Sequence, residues 1–449
     1  MTVPLTGFLV IDNEIIRYIC NYQVITGIKV VLRYSIVIIA AVWFNIGNSL
    51  AQIYGCTDPQ ALNYNSSATV NDGSCNYPLT SVTPETSMNL VNTLDETSGL
   101  ILWNKRLWTH NDSEDLNIYA LDTINGNILQ SVQLTGTVNK DWEEISQDKD
   151  YIYIGDFGNN SGGNRTDLKI LKILKNSILT DQPVIETINF SYADQTDFTP
   201  AAPNTTDFDC EAFIISSDSI YLFTKQWTSL KTTVYSLPKI TGTYIAKKRS
   251  TYNIEGLVTG ATFLESKRLI VLCGYSYSDD FSTIPEPFVY LLYDFNKSGF
   301  FSGNKRKLSV SLPFHQIEGI ATVDGLKYFA SNEYFSYPPF LSISQKMHVF
   351  NFSAYLDQYL QSVTSVEQEP EEVDNCIVYP VPADDYIYVS RRNESHETEY
   401  TLINMWGQPA LAGMLNGEEN RINLTDLPSG IYYLKIGSQA VRNIKVIKI

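Results

Sequence analysis

Short apolar runs that alternate with polar positions recur along the middle of the chain, from Ser98 to about Leu360. Each run is followed, after a polar turn, by further runs of the same kind, and this alternation predicts β-strands. Four short strands per unit, repeated roughly every 45 to 65 residues, are typical of a β-propeller. The five units begin with SGLILW at Ser98, EEISQD at Glu143, EAFIIS at Glu211, EGLVTG at Glu255 and EGIATV at Glu318.

The repeat predicts an all-β protein with a five-bladed β-propeller over residues 86–360, with six blades as the alternative. The last unit has only three clear strands, and an isolated apolar run, SMNLVNTL from Ser87, precedes the first unit. We expect that run to complete the last blade and to close the ring. An acidic linker follows over residues 361–375. The alternation then resumes and predicts a small β-sandwich over residues 376–449.

The N-terminal segment has a different pattern. Lys29 and Arg33 precede an apolar run that ends at Phe44, and small residues then lead to Ala51. A basic head, an apolar stretch of about ten residues and a small-residue exit are typical of a secretory signal peptide. The stretch is shorter than the roughly 20 residues that a membrane span needs. We expect residues 1–52 to be a signal peptide behind an extra upstream segment, with the true start downstream of the first methionine, and no transmembrane segment in the mature chain.

Charge and cysteine usage narrow the possible partners. The formal net charge of −17 argues against nucleic acid or an anionic membrane surface as partner. Cys56 and Cys75 enclose a polar loop with almost no core of its own, which in an exported chain predicts a disulfide and a small module over residues 53–78. The other cysteines of the mature chain fit no zinc spacing, and we expect buried thiols or one further bridge. They are Cys210, Cys273 and Cys376.

The repeated acidic residues predict a ring around the propeller channel. The first strand of each blade lines the channel, so acids at the starts of these strands should meet near one axis, with Ser98 in the place of the acid in the first blade. Clustered buried carboxylates must be paired, hydrogen-bonded, protonated or metal-bound. An all-oxygen set of ligands favours Ca²⁺. The predicted metal ligands at the channel mouth are Glu143, Glu211, Glu255, Glu318, Asp112, Asp156 and Asn332.

Three interpretations of this ring stay open. The acids can tie neighbouring blades together by accepting backbone N–H groups, they can hold a metal ion, or they can act in acid–base catalysis. His110, at the end of a second strand, is a weak candidate for a general base, although a histidine near a turn more often only holds structure. Lys225 is the lone base in the ring and is expected to pair with Glu211. Three tryptophans either stack on a sugar at the mouth or pack between blades: Trp108, Trp142 and Trp227.

Motifs in the C-terminal unit resemble the type A sorting domain of the type IX secretion system. They are VYPVPADDYIYV from Val378, INMWGQ from Ile403, INLTDLPSGIYYLKI from Ile422 and the final KVIKI. The usual YPNP is YPVP here, with Val381 in place of Asn. The resemblance implies a secreted or cell-surface protein of the outer membrane of Bacteroidota. Its partner would be the type IX secretion machinery, which would recognise residues 376–449.

The propeller segments also carry a resemblance. DWEEISQDKDYIYIGDFGNN and DCEAF followed by LFTK resemble a group of secreted bacterial propellers and, more distantly, calcium-dependent lactonase-like and phytase-like propellers. The leading hypothesis is a secreted or surface protein that binds a small-molecule or glycan ligand at an acidic, calcium-bearing channel mouth. One alternative is a calcium-dependent lactonase-like or phosphoesterase-like hydrolase, so that any enzymatic activity would be hydrolytic. The other alternative is a purely structural surface protein.

Overall fold

The computed structural model describes residues 52–276, 285–366, 376–391, 397–405, 407–436 and 442–449. The predicted signal peptide lies outside the described residues, except for Gln52. The described part begins with four short strands: β1 (Tyr54–Gly55), β2 (Val70–Asn71), β3 (Ser81–Val82) and β4 (Thr86–Asn89). A disulfide joins Cys56 to Cys75, as predicted. Cys210 and Cys273 are buried free thiols, whereas the side chain of Cys376 lies outside the described residues.

Three antiparallel four-stranded blades follow in chain order. The strands of the first blade are β5 (Thr97–Trp103), β6 (Arg106–Asn111), β7 (Asn117–Leu121) and β8 (Ile128–Gln133). Those of the second are β9 (Trp142–Gln147), β10 (Tyr151–Asp156), β11 (Lys169–Leu174) and β12 (Ile185–Tyr192), with a short helix α1 (Lys175–Leu179) after β11. Those of the third are β13 (Asp209–Ile215), β14 (Ser219–Lys225), β15 (Thr232–Pro238) and β16 (Gly242–Tyr252).

Two further blades complete the ring. The strands of the fourth are β17 (Leu257–Leu264), β18 (Leu269–Tyr275), β19 (Pro287–Tyr293) and β20 (Asn304–Val310). The fifth consists of β21 (Ile317–Thr322), β22 (Lys327–Asn332), β25 (Lys346–Asn351) and the N-terminal strand β4, and a hairpin of β23 (Phe335–Tyr337) and β24 (Leu341–Ile343) projects between β22 and β25.

The first strands of the five blades contact one another in cyclic order, and β21 returns to β5. The protein is therefore a five-bladed β-propeller, and the number of blades predicted from the repeat is confirmed. The ring closes as predicted, because β4 pairs antiparallel to β25 with Ser87 opposite His348. Two parallel pairings at the outer edges were not predicted: β12 with β16, which joins the second and third blades, and β3 with β20.

Apolar side chains from neighbouring blades form five separate buried clusters, one at each blade interface. After the fifth blade, helix α2 (Ser353–Val366) adds Leu356 and Leu360 to the cluster between the fourth and fifth blades. Residues 361–366, which the sequence pattern assigned to the linker, are therefore the end of this helix. Its apolar side packs on the propeller, and this anchors the chain where it leaves the last blade.

The C-terminal residues form a β-sandwich with its own core. One sheet has the order β26 (Cys376–Tyr379), β27 (Tyr386–Arg391) and β30 (Glu419–Asn423), and the other has the order β29 (Pro409–Leu415), β28 (Thr398–Asn404), β31 (Gly430–Ile436) and β32 (Arg442–Lys448). Buried residues of both sheets, such as Ile387, Leu402 and Leu434, share one cluster. Among the described residues, no helix is both long and apolar enough to cross a membrane.

Candidate functional site

Each of the five inner strands carries a β-bulge near its start, where one strand has an extra residue relative to its partner. In four blades the extra residue is Glu143, Glu211, Thr259 or Glu318, and in the first blade Gly99 and Leu100 occupy this position. A bulge changes the direction in which a side chain points. Because the bulges recur at the same height in every blade, they direct three glutamates toward the same end of the channel.

Glu255 is not part of this group. It lies in the turn before β17, where its side chain is exposed and its φ angle is +54°. Its backbone carbonyl accepts a hydrogen bond from Lys307 Nζ at 3.0 Å. The structure thus brings together three of the four predicted glutamates, and Thr259 holds the position in the fourth blade that the sequence pattern gave to Glu255.

The two blades without an acid use a hydroxyl group instead. Ser98 Oγ in the first blade donates to the carbonyl of Glu143 in the second, and Thr259 Oγ1 in the fourth blade donates to the carbonyl of Ile317 in the fifth. Both bonds connect the inner strand of one blade to that of the next. At these two positions the polar residue ties the blades together.

Three carboxyl groups converge at the second and third blades. One oxygen from each of Glu143, Asp209 and Glu211 lies within 4.8 Å of the others, and all three residues are buried. Asp209 is fully hydrogen-bonded, since its Oδ1 accepts from the backbone N–H groups of Asn159 (2.7 Å) and Cys210 (3.0 Å). The indole N–H of Trp227 donates to its Oδ2 at 2.7 Å. Burial raises the pKa of Asp209, and Lys225 and these three donors oppose that rise.

Lys225 supplies the positive charge of the cluster. Its ammonium group donates to a carboxylate oxygen of Glu211, so the predicted ion pair is confirmed. The same nitrogen lies 4.7 Å from the ring centre of Trp227 and 5.2 Å from that of Tyr275. Neighbouring acids, Glu211 first among them, outweigh burial and raise the pKa of Lys225 well above its usual value. This direction favours the ammonium form of Lys225 over a neutral nucleophile.

Glu143 and Glu318 have a different environment. Both are only 6% exposed, and within the described part of the chain no N–H or O–H group donates a hydrogen bond to either carboxyl group. Burial, followed by repulsion from Glu211 and other acids, raises the pKa of each well above the usual value for glutamate, and Lys225 only partly opposes this. These two groups are thus either protonated or available to a cation that enters the channel.

Three further acids form the rim of the mouth. Burial, together with Glu96 and Glu333, raises the pKa of Asp112 to about 8. Burial also raises the pKa of Glu333 to about 7 and that of Asp141, which is near Asp209, to about 6. Asp112 Oδ1 is buried and lacks a hydrogen-bond partner. The rim therefore gains negative charge as the pH rises through neutrality.

A glycine in the GDFGNN motif makes room for these acids. A Cβ atom added to Gly158 would lie 2.1 Å from Glu143 Oε1 and 2.4 Å from Asp141 Cγ. Such contacts are far shorter than van der Waals distance, so only glycine fits beside the two carboxyl groups. This close approach explains why the motif stands out in the sequence of the second blade.

Two other predicted ligands have partners within the protein. The carboxylate of Asp156 forms ion pairs with Arg165 at 2.7 Å and with Lys169 at 2.8 Å. Asn332 Oδ1 lies 2.8 Å from His348 Nε2, and Asn332 Nδ2 donates to two backbone carbonyls. These contacts use the polar atoms of both side chains to hold loops beside the mouth.

His110 is fully buried rather than open to the mouth. Its ring packs edge-on against Trp142 at 5.6 Å, and its Nδ1 lies 3.0 Å from the carbonyl of Asn111. Burial lowers the pKa of His110 to about 4. This position gives a substrate no access to the imidazole. The three tryptophans named as sugar-stacking candidates are buried as well and pack within the propeller: Trp108, Trp142 and Trp227.

Glu144, which the sequence pattern did not single out, links the second blade to the fourth. Its Oε1 accepts from the N–H of Ile145 at 3.0 Å, and its Oε2 accepts from the N–H of Ala261 in the fourth blade at 2.6 Å. Added Cβ atoms at Gly99 and Gly260 would lie 2.7 Å and 3.3 Å from its oxygens. Gly99 and Gly260 thus leave space for this carboxyl group.

Comparisons with known proteins bear chiefly on the C-terminal unit. Residues 377–449 match the family described as a secretion system C-terminal sorting domain. No curated protein matches the chain. Among solved structures, PorZ, an essential surface component of the type-IX secretion system of Porphyromonas gingivalis, is similar with 12% identity and a TM-score of 0.27; the match covers 79% of this chain and 45% of PorZ. This chain thus spans less than half the length of PorZ.

Two other solved structures each contain a chain that the match covers almost completely. A chain of the mitotic checkpoint complex shares 9% identity with a TM-score of 0.32, and the match covers 62% of this chain and 98% of that one. The WD40 repeats of RRP9 share 8% identity with a TM-score of 0.30, and the match covers 61% of this chain and 100% of that one. Likeness at this level says nothing about ligands. The C-terminal β-sandwich is a sorting domain of the type IX secretion system, and the chain that carries it is an exported, cell-surface protein.

Proposed function

We propose that this cell-surface propeller is a binding protein whose acidic channel mouth holds Ca²⁺, and that the ion in turn holds a small-molecule or glycan ligand. The observation that carries the proposal is the pair of carboxyl groups of Glu143 and Glu318. They are buried, and no donor in the described ranges reaches them. Buried carboxylates without partners are costly unless they bind a proton or a cation.

The charge balance supports a cation rather than a second anion. Lys225 contributes one positive charge, whereas Glu143, Glu211, Glu318 and Asp209 can contribute four negative ones. Ca²⁺ binds six to eight oxygen ligands in flexible geometry, and water or a ligand hydroxyl can complete the set. Three donors occupy both oxygens of Asp209, and the ammonium group of Lys225 occupies Oε2 of Glu211. Glu143 and Glu318 are therefore the proposed first ligands.

A calcium titration of the purified protein tests the proposal. After treatment with a chelator, addition of CaCl₂ at pH 7.5 should give a calorimetric binding signal. It should also raise the melting temperature by about 5 °C at 100-fold excess over Kd, because an ion that binds only the folded state stabilises it by about 2.7 kcal/mol at that concentration. Glu143→Gln and Glu318→Gln should each weaken Ca²⁺ binding at least tenfold.

Glu255→Gln is the matched control, because Glu255 is exposed and lies outside the cluster. It should leave Ca²⁺ binding unchanged. In the absence of Ca²⁺, Glu143→Gln should not lower the melting temperature, since it removes a repelled carboxyl group without breaking a hydrogen bond. If the wild-type protein gives neither heat nor a thermal shift with Ca²⁺, or if both glutamine variants bind like wild type, the proposed site is wrong.

A further inference from the structure

A second concave site lies apart from the acidic mouth and shares no residue with it. A cleft of about 720 Å³ opens between the disulfide-closed module, the fourth blade and helix α2. This volume lies within the range of roughly 300 to 1,000 Å³ that small-molecule sites occupy, and such sites often form where structural units meet. The residues that matter for its chemistry are Gln60, Arg268, Asp294, Tyr355, Gln358 and Tyr359.

The walls of the cleft are held in place by bonds between the module and the propeller. Arg306 Nη1 donates to Gln60 Oε1 at 2.6 Å, and Gln60 Nε2 donates to the carbonyl of Ala354 in α2 at 3.2 Å. The guanidinium group of Arg306 lies between the rings of Tyr77 and Tyr355, at 4.9 Å and 4.6 Å. A ligand would therefore enter a preformed site, which lowers the entropy lost on binding.

Each charged side chain that lines the cleft has a bonding partner within the described part of the protein. Arg268 and Asp294 form an ion pair at 2.9 Å. The carboxylate of Asp58 accepts hydrogen bonds from the hydroxyl groups of Tyr77 and Tyr293, and that of Glu265 accepts two from Ser217 on the side of the third blade. The carboxylates of Asp58 and Glu265 would repel an anion, and a cation would have to displace the hydrogen bonds that hold them. The lining favours a neutral ligand.

The uncharged groups define the class of that ligand. Tyr355 and Tyr359 are half-buried and expose part of each ring, and tyrosine offers an apolar face together with a polar hydroxyl edge. Gln358 is exposed, and its amide group can both donate and accept hydrogen bonds, whereas the amides of Gln60 and Asn304 are already bonded within the protein. An open amide group beside tyrosine rings complements a molecule that bears many hydroxyl groups on an apolar ring. From this combination we propose that the cleft is a binding site for a neutral saccharide.

Direct titration tests this second site. The purified protein is titrated in turn with maltohexaose, cellohexaose, laminarihexaose and chitohexaose by isothermal calorimetry, in the presence of a chelator so that the acidic mouth carries no metal. At least one oligosaccharide should bind. Gln358→Ala should weaken that binding at least threefold, and Gln358→Trp, which fills the cleft, should abolish it. No described residue bonds to the Gln358 side chain, so both variants should keep the fold and the melting temperature.

Gln361→Ala is the matched control, because Gln361 is an exposed glutamine of the same helix that does not line the cleft. It should bind the saccharide like wild type. Absence of binding by all four hexasaccharides, or wild-type affinity in Gln358→Trp, would overturn the proposal. The outcome is independent of the calcium proposal, since Glu143→Gln and Glu318→Gln should leave saccharide binding in the cleft unchanged.

Discussion

At the scale of single residues, hydrogen-bond donors decide how each buried acid of the mouth behaves. Asp209 and Glu143 are both buried, yet three N–H groups surround the carboxylate of Asp209 and none reaches that of Glu143 among the described residues. Desolvation penalises the ionised form of both, whereas donors favour it only for Asp209. The two residues can thus have different roles, because the protein itself holds the carboxyl group of Asp209 whereas that of Glu143 is open to a cation.

Asp112 makes this effect measurable as a function of pH. Burial and the neighbouring acids raise its pKa from 3.8 to about 8 in the folded state. A carboxyl group whose pKa is higher in the folded state contributes its full stabilisation at pH values below its unfolded-state pKa. This contribution is lost as the pH rises through the folded-state pKa. Asparagine cannot ionise. Raising the pH from 5 to 9 should therefore shift the stability difference in favour of Asp112→Asn by on the order of 1 kcal/mol.

Urea denaturation of both proteins at pH 5 and pH 9 gives this difference. Asp150→Asn is the control, because Asp150 is exposed and its side chain has no bonding partner among those that the structure describes; its stability difference from wild type should not change between the two pH values. Equal differences for Asp112→Asn at pH 5 and pH 9 would show that this carboxyl group is not suppressed by its neighbours.

At the scale of elements, the register of the inner strands determines which residues meet. The strands, the five blades and the closing strand were predictable because alternation and turn residues are local signals. The position of Glu255 outside the group of buried glutamates was not predictable in this way. An EG dipeptide occurs at 255 and again at 318, and similar aliphatic residues follow both. Pairing of β17 with β18 instead makes Thr259 the extra residue of the bulge. The correct alignment of the inner strands places the SG dipeptide at 98, the TG dipeptide at 259 and the EG dipeptide at 318 at equivalent positions. Only the strand pairing distinguishes this alignment from the one that uses Glu255.

The residue after the bulge is small in three blades (Ala212, Gly260 and Gly319) and is Glu144 in the second, and this side chain is a tie between blades. It accepts N–H groups of Ile145 and Ala261, and the N–H of Leu100 also stabilises its ionised form. Glu144→Ala would leave these buried donors unpaired, at about 1 kcal/mol or more each. We expect a loss of about 3 kcal/mol or more in the free energy of unfolding, measured by urea denaturation.

Glu144→Gln separates this effect from a simple cavity. The glutamine retains the size of the side chain and one carbonyl oxygen, so it should lose clearly less stability than alanine. Wild-type stability in Glu144→Ala would mean that the inner strands hold their geometry without the central carboxyl group.

At the scale of the whole molecule, the propeller and the sorting domain have separate cores. The five clusters of the propeller lie between neighbouring blades, whereas the sandwich cluster contains only residues between Ala383 and Val446. Separate cores imply separate unfolding transitions. The sequence motifs could identify the sorting domain because its turn residues and aromatic strands are close together in the chain. The acidic mouth could be predicted only in part, since its members come from four different blades.

Deletion of residues 376–449 tests this separation together with the assignment of the sorting domain. The truncated propeller should keep its melting temperature within about 2 °C, because no apolar cluster between its blades includes a residue of the sandwich. It should nevertheless remain inside the cell envelope, whereas full-length protein should be accessible to added protease at the surface. Fusion of residues 376–449 to a reporter with a signal peptide should send that reporter to the surface. Surface exposure of the truncated chain at the wild-type level would contradict the assignment, and a large fall in its melting temperature would contradict the independence of the two cores.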